Sequence, residues 1–88
     1  MYMSKIEKLL KRFRIKPKDF KYSELKTLLS NFGYKEIKKG KTSGSRVSFY
    51  NENSSNLISL HKPHPKEILK RYQLDLIEEE LLKQGVIK

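Results

Sequence analysis

Residues 40–65, GKTSGSRVSFYNENSSNLISLHKPHP, decide the fold because they hold two strand patterns joined by a turn. Apolar side chains alternate with other residues in 46–51 and again in 57–61, as in strands that bury one face. The segment NENSSN between them, residues 51–56, has the composition of a turn. We therefore predict two antiparallel strands, preceded by a basic, glycine-containing loop and followed by the two histidines of the chain.

Helical patterns lie upstream of this stretch. Ser4 and Glu7 match a capping box, and apolar residues then recur at helical spacing, so a first helix is predicted at about residues 4–14. A second helix, at about residues 22–31, has a leucine-rich stripe and is followed by Gly33. Glycine at that position favours a left-handed terminator, so the helix is expected to end there.

The remaining elements complete an α+β pattern. A short strand pattern at residues 34–39 precedes the basic loop, and a last helix is predicted at about residues 72–84. The order α-α-β-β-β-α predicts a three-stranded antiparallel sheet with helices on one face. Tyr34 and Tyr72 are then expected at the edge of the core. The opposite sheet face would carry polar side chains and one tyrosine: Arg46, Ser48, Tyr50, Ser59 and His61. Antiparallel sheets often leave one face in water, so this exposure alone does not establish a function.

The composition restricts the chemistry open to the chain. Its 88 residues suffice for one small domain, predicted to span residues 1–88. The absence of cysteine excludes disulfides, thiolate metal sites and cysteine nucleophiles. The first residues lack the apolar run of a signal peptide, and no stretch reaches the ~20 apolar residues of a membrane span. A cytoplasmic protein with no membrane partner is therefore expected.

The charge of the chain points to a polyanionic partner. The formal net charge is +10, and residues 1–71 hold 18 of the 20 basic side chains against 6 acidic ones. A field of this sign attracts polyanions and accelerates their encounter with the protein. Nucleic acid is the leading candidate, while anionic lipid and an acidic protein remain alternatives. The lysines would otherwise serve only to keep a small domain in solution.

The two histidines, His61 and His64, are the candidate acid–base groups. Histidine is the side chain best suited to exchange protons near neutral pH. Metal-independent cleavage of RNA needs a base for the 2′-hydroxyl proton and an acid for the leaving oxygen. In the alternative interpretation, His61 only ends a strand and His64 only occupies a turn. Two histidines without cysteine are too few for a closed zinc site, so neither a metal nor a cofactor is predicted.

The basic loop, residues 38–46, is the candidate phosphate-binding segment. Its glycines permit close approach of the backbone, and its hydroxyls and cations suit phosphate groups. A P-loop is excluded because Lys35 stands where that motif requires its first glycine. A merely solvated hairpin is the alternative. The predicted RNA contacts combine this loop with a stacking tyrosine and one lysine after the last strand: Lys38, Lys39, Lys41, Ser45, Arg46, Tyr50 and Lys62.

Several short motifs, taken in order, resemble the HicA family of toxins over about residues 3–87. They are Pro17-Lys18-Asp19-Phe20, Glu24-Leu25, Leu28-Leu29, Gly33-Tyr34, Gly44-Ser45-Arg46-Val47 and the segment Leu60 to Pro65. The resemblance implies a double-stranded-RNA-binding-domain-like fold, here preceded by an extra N-terminal helix. It also implies a toxin that cleaves messenger RNA and is neutralised by a HicB antitoxin.

The chain departs from this family at one position. The family's catalytic histidine follows a Gly-Ser pair, and Arg46 occupies that position here. Arginine stays protonated and cannot act as a general base, although it can bind phosphate. The resemblance therefore leaves three possibilities: catalysis by His61 or His64 with Arg46 as a helper, weak activity, or RNA binding without cleavage. A protein-interaction domain for an acidic partner is a further alternative.

Overall fold

The computed structural model describes residues 4–37, 46–63 and 66–88, and it confirms the predicted α+β order. Three helices and three strands follow one another along the chain: α1 (Lys5–Arg14), α2 (Tyr22–Asn31), β1 (Tyr34–Ile37), β2 (Arg46–Asn51), β3 (Asn56–His61) and α3 (Arg71–Lys83). The bounds of α2 and β2 are those predicted, and α3 begins one residue earlier than predicted. Residues 38 and 39, the end of the first predicted strand, lie outside the described ranges.

The three strands form one antiparallel sheet in the order β1-β2-β3. One face is buried beneath the helices and contributes Tyr34, Val47, Phe49, Ile58 and Leu60 to the core. Leucines of α2 and α3 complete that core, together with Phe13 of α1. Because successive strand residues point to opposite faces, this burial turns Arg46, Tyr50, Ser59 and His61 to the other face of the sheet.

The helix ends follow the sequence signals closely. The backbone N–H of Glu7 donates to Ser4 Oγ at 3.2 Å, and the N–H of Ser4 donates to Glu7 Oε1 at 3.1 Å, so the capping box is confirmed. The backbone N–H of Ser4 and its hydroxyl both donate to the Glu7 carboxylate, and these bonds hold the pKa of that carboxyl below its ordinary value. Gly33 adopts φ +92°, which confirms the left-handed end of α2.

Asn51, at the end of β2, fixes the hairpin that carries the site. Its side-chain amide donates to the carbonyl of Phe32 at 3.0 Å. Its Oδ1 accepts the N–H of Asn53 at 2.9 Å, in the turn that leads to β3. This buried asparagine therefore joins the end of α2 to the β2–β3 turn, and it satisfies backbone groups that would otherwise lose hydrogen bonds.

Two side chains differ in exposure from what the sequence predicts. Ser48 lies on the open face, as predicted, but it is only 8% exposed, because it lies on the central strand and its hydroxyl bonds that of Ser59 at 2.9 Å. Tyr72 was expected at the edge of the core, but it is 57% exposed. The buried stripe of α3 runs through Leu74, Ile77 and Leu81, which turns Tyr72 outward. Tyr34 is buried, as expected, and its hydroxyl accepts the amide of Asn56.

Two further expectations concern the extent of the fold and its surroundings. In the described ranges, no helix is both long and apolar enough to cross a bilayer. The helix α1 packs against α2 and α3. The division into one domain over residues 1–88, with an added N-terminal helix, stays a prediction, as does the likeness to double-stranded-RNA-binding domains.

Candidate functional site

The sheet register brings Arg46 and His61 together. Arg46 begins β2, His61 ends β3, and the two residues are direct antiparallel partners. Both are exposed on the open face, as their alternation with core residues predicted. Directly opposed residues in such a pair have Cβ atoms about 4.5–5.5 Å apart, so one small anion can contact both side chains. Within the described part of the chain, neither side chain is engaged in an ion pair or side-chain hydrogen bond.

Gln73 holds His61 in place from the start of α3. Its Nε2 donates to the backbone carbonyl of His61 at 2.9 Å, and its Oε1 accepts the N–H of Lys70 at 3.0 Å. Gln73 is only 6% exposed, so both bonds are shielded from water. The bond to Lys70 has a local signal, since glutamine at the third helical position is typical of a reciprocal cap. The bond to His61 depends on tertiary packing and was missed.

Lys62 is occupied by contacts within the protein. Its Nζ lies 2.9 Å from Glu67 Oε1 and 5.1 Å from the centroid of the Tyr22 ring. Tyr22 and Glu67 are also joined to each other, because the backbone N–H of Tyr22 donates to the carbonyl of Glu67 at 2.8 Å. Lys62 was predicted as an RNA contact, and that role stays a prediction. The structure adds that RNA would compete with Glu67 for this ammonium group.

Tyr50 lies further along the open face, opposite Lys35 on β1 and Leu57 on β3. Its side chain is partly buried, while Leu57 is 53% exposed. Ile37 is a further exposed apolar residue on this face, beside Ser48. The open face is therefore less polar than its serines and arginine suggested. It carries exposed apolar side chains in addition to Arg46.

A groove runs along the outer edge of the sheet, where β3 faces α3. Its larger part has a volume of about 390 Å³ and is apolar, with Leu57, Tyr72 and Leu76 at the surface and Glu80 at one end. A second cavity, of about 160 Å³, continues from the opposite end and is basic, with Lys62, Lys66 and Lys70 in its lining. His61, Tyr72 and Gln73 line both cavities, so they mark the junction.

Two acidic residues of α3 form ion pairs with α1 and with the connector that follows it. Glu78 binds Arg14 at 3.0 Å and Lys16 at 2.6 Å, and Asp75 binds Lys16 at 2.8 Å. The hydrogen bond from Lys16, followed by that from Arg14, holds the pKa of Glu78 below its ordinary value. Among the described residues, no group of three His, Asp or Glu side chains has the arrangement of a metal site.

Five of the predicted site residues lie outside the described residues: Lys38, Lys39, Lys41, Ser45 and His64. Of the others, Arg46 and His61 are brought together, whereas Tyr50 and Lys62 lie to either side of them. Lys66, Lys70 and Gln73 were not among the predicted site residues, and Tyr72 was predicted at the edge of the core. The positions of these four around one groove depend on how α3 packs against β3.

Comparison with known protein families identifies a match over most of the chain. Residues 22–86 match the family model described as the HicA toxin of bacterial toxin–antitoxin systems. The match begins at the first residue of α2 and continues beyond α3, so α1 precedes it. No match is found among curated proteins or among solved structures.

Proposed function

Because the chain belongs to the HicA toxin family of bacterial toxin–antitoxin systems, we propose that it binds RNA and cleaves messenger RNA. We further propose that a HicB-like antitoxin neutralises it. The observation that carries the first proposal is the pairing of Arg46 with His61 across β2 and β3. This pair sets a permanent cation beside a proton-exchanging side chain on an exposed surface.

The chemistry proposed for this pair is cleavage by the RNA itself. The 2′-hydroxyl loses its proton, and its oxygen attacks the adjacent phosphorus. The bond from phosphorus to the 5′-oxygen of the next nucleotide breaks, and that oxygen takes up a proton. A 2′,3′-cyclic phosphate and a 5′-hydroxyl result, so no external reactant is needed.

The two side chains take different roles in this reaction. His61 exchanges one of the two protons, as general base or general acid. Arg46 binds the non-bridging oxygens, on which negative charge increases in the transition state. His64 is the sequence-based candidate for the second proton. Since Arg46 occupies the position of the family's catalytic histidine, proton exchange in this chain has to come from another residue.

The test is cleavage of a labelled single-stranded oligoribonucleotide in EDTA by the purified chain. His61→Ala should lower the rate by about 100-fold or more, as loss of a general acid or base does. Arg46→Ala should lower it by a similar factor, because a donor to the developing oxyanion is lost. Lys35→Ala is the matched control, since it removes an exposed cation from the opposite edge of the same sheet. It should leave the rate unchanged.

Two results would contradict the catalytic assignment. Full activity of His61→Ala would exclude His61 as the general acid or base. Cleavage of a substrate with 2′-deoxyribose at the cleaved position would exclude attack by the 2′-hydroxyl. Circular dichroism of each variant establishes that lost activity is not lost structure.

Binding of RNA without cleavage is the second candidate function, and the arginine at position 46 favours it. A guanidinium grips phosphate but cannot accept a proton from the 2′-hydroxyl. In that case the same assay would show a bound oligoribonucleotide that remains intact, and Arg46→Ala would weaken binding. Cleavage by the unmodified chain would reject this candidate.

The toxin–antitoxin role is tested in bacterial cells. We propose that the chain acts in the cytoplasm, where messenger RNA is translated. Induction should stop growth and fragment transcripts, and co-expression of a HicB-like antitoxin should restore growth and intact transcripts. Growth that continues with intact transcripts would contradict the toxin role. The net charge of +10 supports an antitoxin with an acidic contact surface.

A further inference from the structure

Tyr72 is an exposed aromatic residue at the junction of two cavities. Its side chain is 57% exposed, and Leu76, one helical turn later, is 61% exposed. Both line the apolar cavity, whereas Tyr72 also lines the basic one. A large aromatic side chain that is neither buried nor bonded within the described residues offers its ring face to a ligand.

The basic cavity beside this ring contains cations that remain available. Lys66 and Lys70 are exposed and form no ion pair with any described residue, in contrast to Lys62, which binds Glu67. His61 lines the same cavity, so this pair of lysines lies next to the Arg46–His61 pair. One continuous surface thus runs from the candidate catalytic pair past two lysines to an aromatic ring.

We propose that this groove binds the nucleotide adjacent to the cleaved phosphate. The base stacks on the ring of Tyr72 over the apolar cavity, and Lys66 and Lys70 bind the next phosphate. Tyr72 is therefore a positioning and specificity-determining residue for the RNA, distinct from Arg46 and His61. This inference rests on the proposed function, because it takes the ligand of the Arg46–His61 pair to be RNA.

The chemistry of the groove matches a single-stranded nucleotide in both its parts. A base presents an apolar face of the kind that stacks on tyrosine, and a phosphate presents an anion that lysine binds. The larger cavity, about 390 Å³, lies on the apolar side, and the cations lie only towards His61. Holding the base away from its neighbour also frees the backbone for attack in line with the leaving oxygen.

A second copy of the chain is the other occupant that the groove could take. β3 is an edge strand, and Leu57 and Leu76 are apolar residues beside that edge. Two copies would each bring a net charge of +10, and their cationic surfaces would repel each other. Charge therefore favours RNA over self-association at this surface.

The experiment measures binding of a fluorescent single-stranded oligoribonucleotide to the full chain by anisotropy, together with its cleavage. Tyr72→Ala should weaken binding by about 5- to 150-fold, the range expected for one lost stacking contact. Tyr72→Phe keeps the ring face and should bind nearly as well as the unmodified chain. Oligoribonucleotides of different base composition should also be discriminated less well by Tyr72→Ala.

The lysines have a matched control on α1. The double variant Lys66→Ala, Lys70→Ala should reduce the slope of log affinity against log salt by about 1.4, for two lost single-strand phosphate contacts. Lys5→Ala, Lys8→Ala removes the same charge from exposed positions outside both cavities. This control should leave the slope nearly unchanged.

The outcomes separate this inference from the proposed function. Unchanged binding by Tyr72→Ala and by the Lys66, Lys70 variant, with binding still weakened by Arg46→Ala, would overturn the groove assignment alone. Absence of RNA binding by the unmodified chain would overturn both. Sedimentation that shows a dimer dissociated by Tyr72→Ala, with RNA binding unaffected, would assign the groove to a second copy instead. Folding of each variant is established by circular dichroism.

Discussion

At the scale of single residues, Gly33 shows how a helix end and a strand pair are joined. Its φ of +92° lies in the region that glycine tolerates best. A Cβ at this position would lie 3.3 Å from Nδ2 of Asn51. The same amide donates to the carbonyl of Phe32, so moving it away would weaken the contact between α2 and the β2–β3 hairpin.

Gly33→Ala should therefore lower the free energy of unfolding by about 2 kcal/mol, from the left-handed backbone and the displaced amide together. Urea denaturation followed by circular dichroism measures it. Gly85→Ala is the control, since Gly85 has φ +74° and nothing lies within 4 Å of an added Cβ. It should cost only about 1 kcal/mol. An equal loss of unfolding free energy in the two variants would show that the contact with Asn51 does not contribute to stability.

Single residues are predictable from the sequence where their structural role is local. Ser4 with Glu7, and Gly33 after a leucine stripe, are predictable because each acts on its own helix end. Asn51 and Gln73 were not found, because their partners lie in distant segments of the chain. The pairing of Arg46 with His61 was predictable only in part. The alternation of each strand predicts that both residues lie on the same face, whereas their direct pairing depends on the register that the turn sets.

At the scale of elements, α1 and its connector are attached to α3 largely through charge. Arg14 and Lys16 both bind Glu78, and Lys16 adopts a left-handed φ of +54° two residues after the end of α1. Phe13 of α1 is fully buried in the core, where its ring contacts that of Phe20 with 5.7 Å between the centroids. Ionised Glu78 therefore helps to hold this extra helix, together with the packing of α1 on α2 and the ion pair between Arg12 and Glu24.

The Glu78 contacts predict a stability that falls in acid. The pKa of Glu78 is lowered from its ordinary 4.5, so its stabilisation is complete above about pH 4.5 and is lost as pH falls through the lower folded-state value. Glu78→Gln should cost roughly 1 kcal/mol at pH 7, and the difference from the unmodified chain should close below pH 4.5. Urea denaturation at several pH values measures both effects.

Glu79→Gln is the matched control for this prediction. Glu79 is exposed on the same helix and pairs with no cation among the described residues, and the substitution removes the same charge. Its stability should differ little from that of the unmodified chain at any pH. A Glu78→Gln difference that persists unchanged in acid would contradict an ionic origin.

The sequence predicts the α3 helix correctly, but it does not predict which of the apolar residues of α3 are exposed. Its periodicity identifies Leu74, Ile77 and Leu81 as the buried stripe. The same period cannot decide whether Tyr72 and Leu76, on the neighbouring stripe, are covered by another element. In the fold, β3 is the edge strand next to α3, so these two residues are left at an open groove.

At the scale of the whole molecule, the arrangement of charge decides which partner is favoured. Asp75 and Glu78 are neutralised by cations of α1 and its connector, whereas Arg46, Lys66 and Lys70 remain unpaired among the described residues. These three cations therefore lie on the side that carries the groove. Composition predicted the sign of the field, and the ion pairs show which of the described cations near the groove remain available to an anion.

This arrangement predicts that RNA binding depends steeply on salt. Three phosphate contacts, from Arg46, Lys66 and Lys70, correspond to a loss of about 20-fold in affinity for single-stranded RNA between 50 and 200 mM salt. Anisotropy titrations over that range measure it. An oligodeoxyribonucleotide of equivalent sequence carries the same phosphates but no 2′-hydroxyl, so it should show the same salt slope and resist cleavage. If the affinity did not change with salt concentration, the partner would be recognised through apolar contacts. Arg46, Lys66 and Lys70 would then not be phosphate-binding residues.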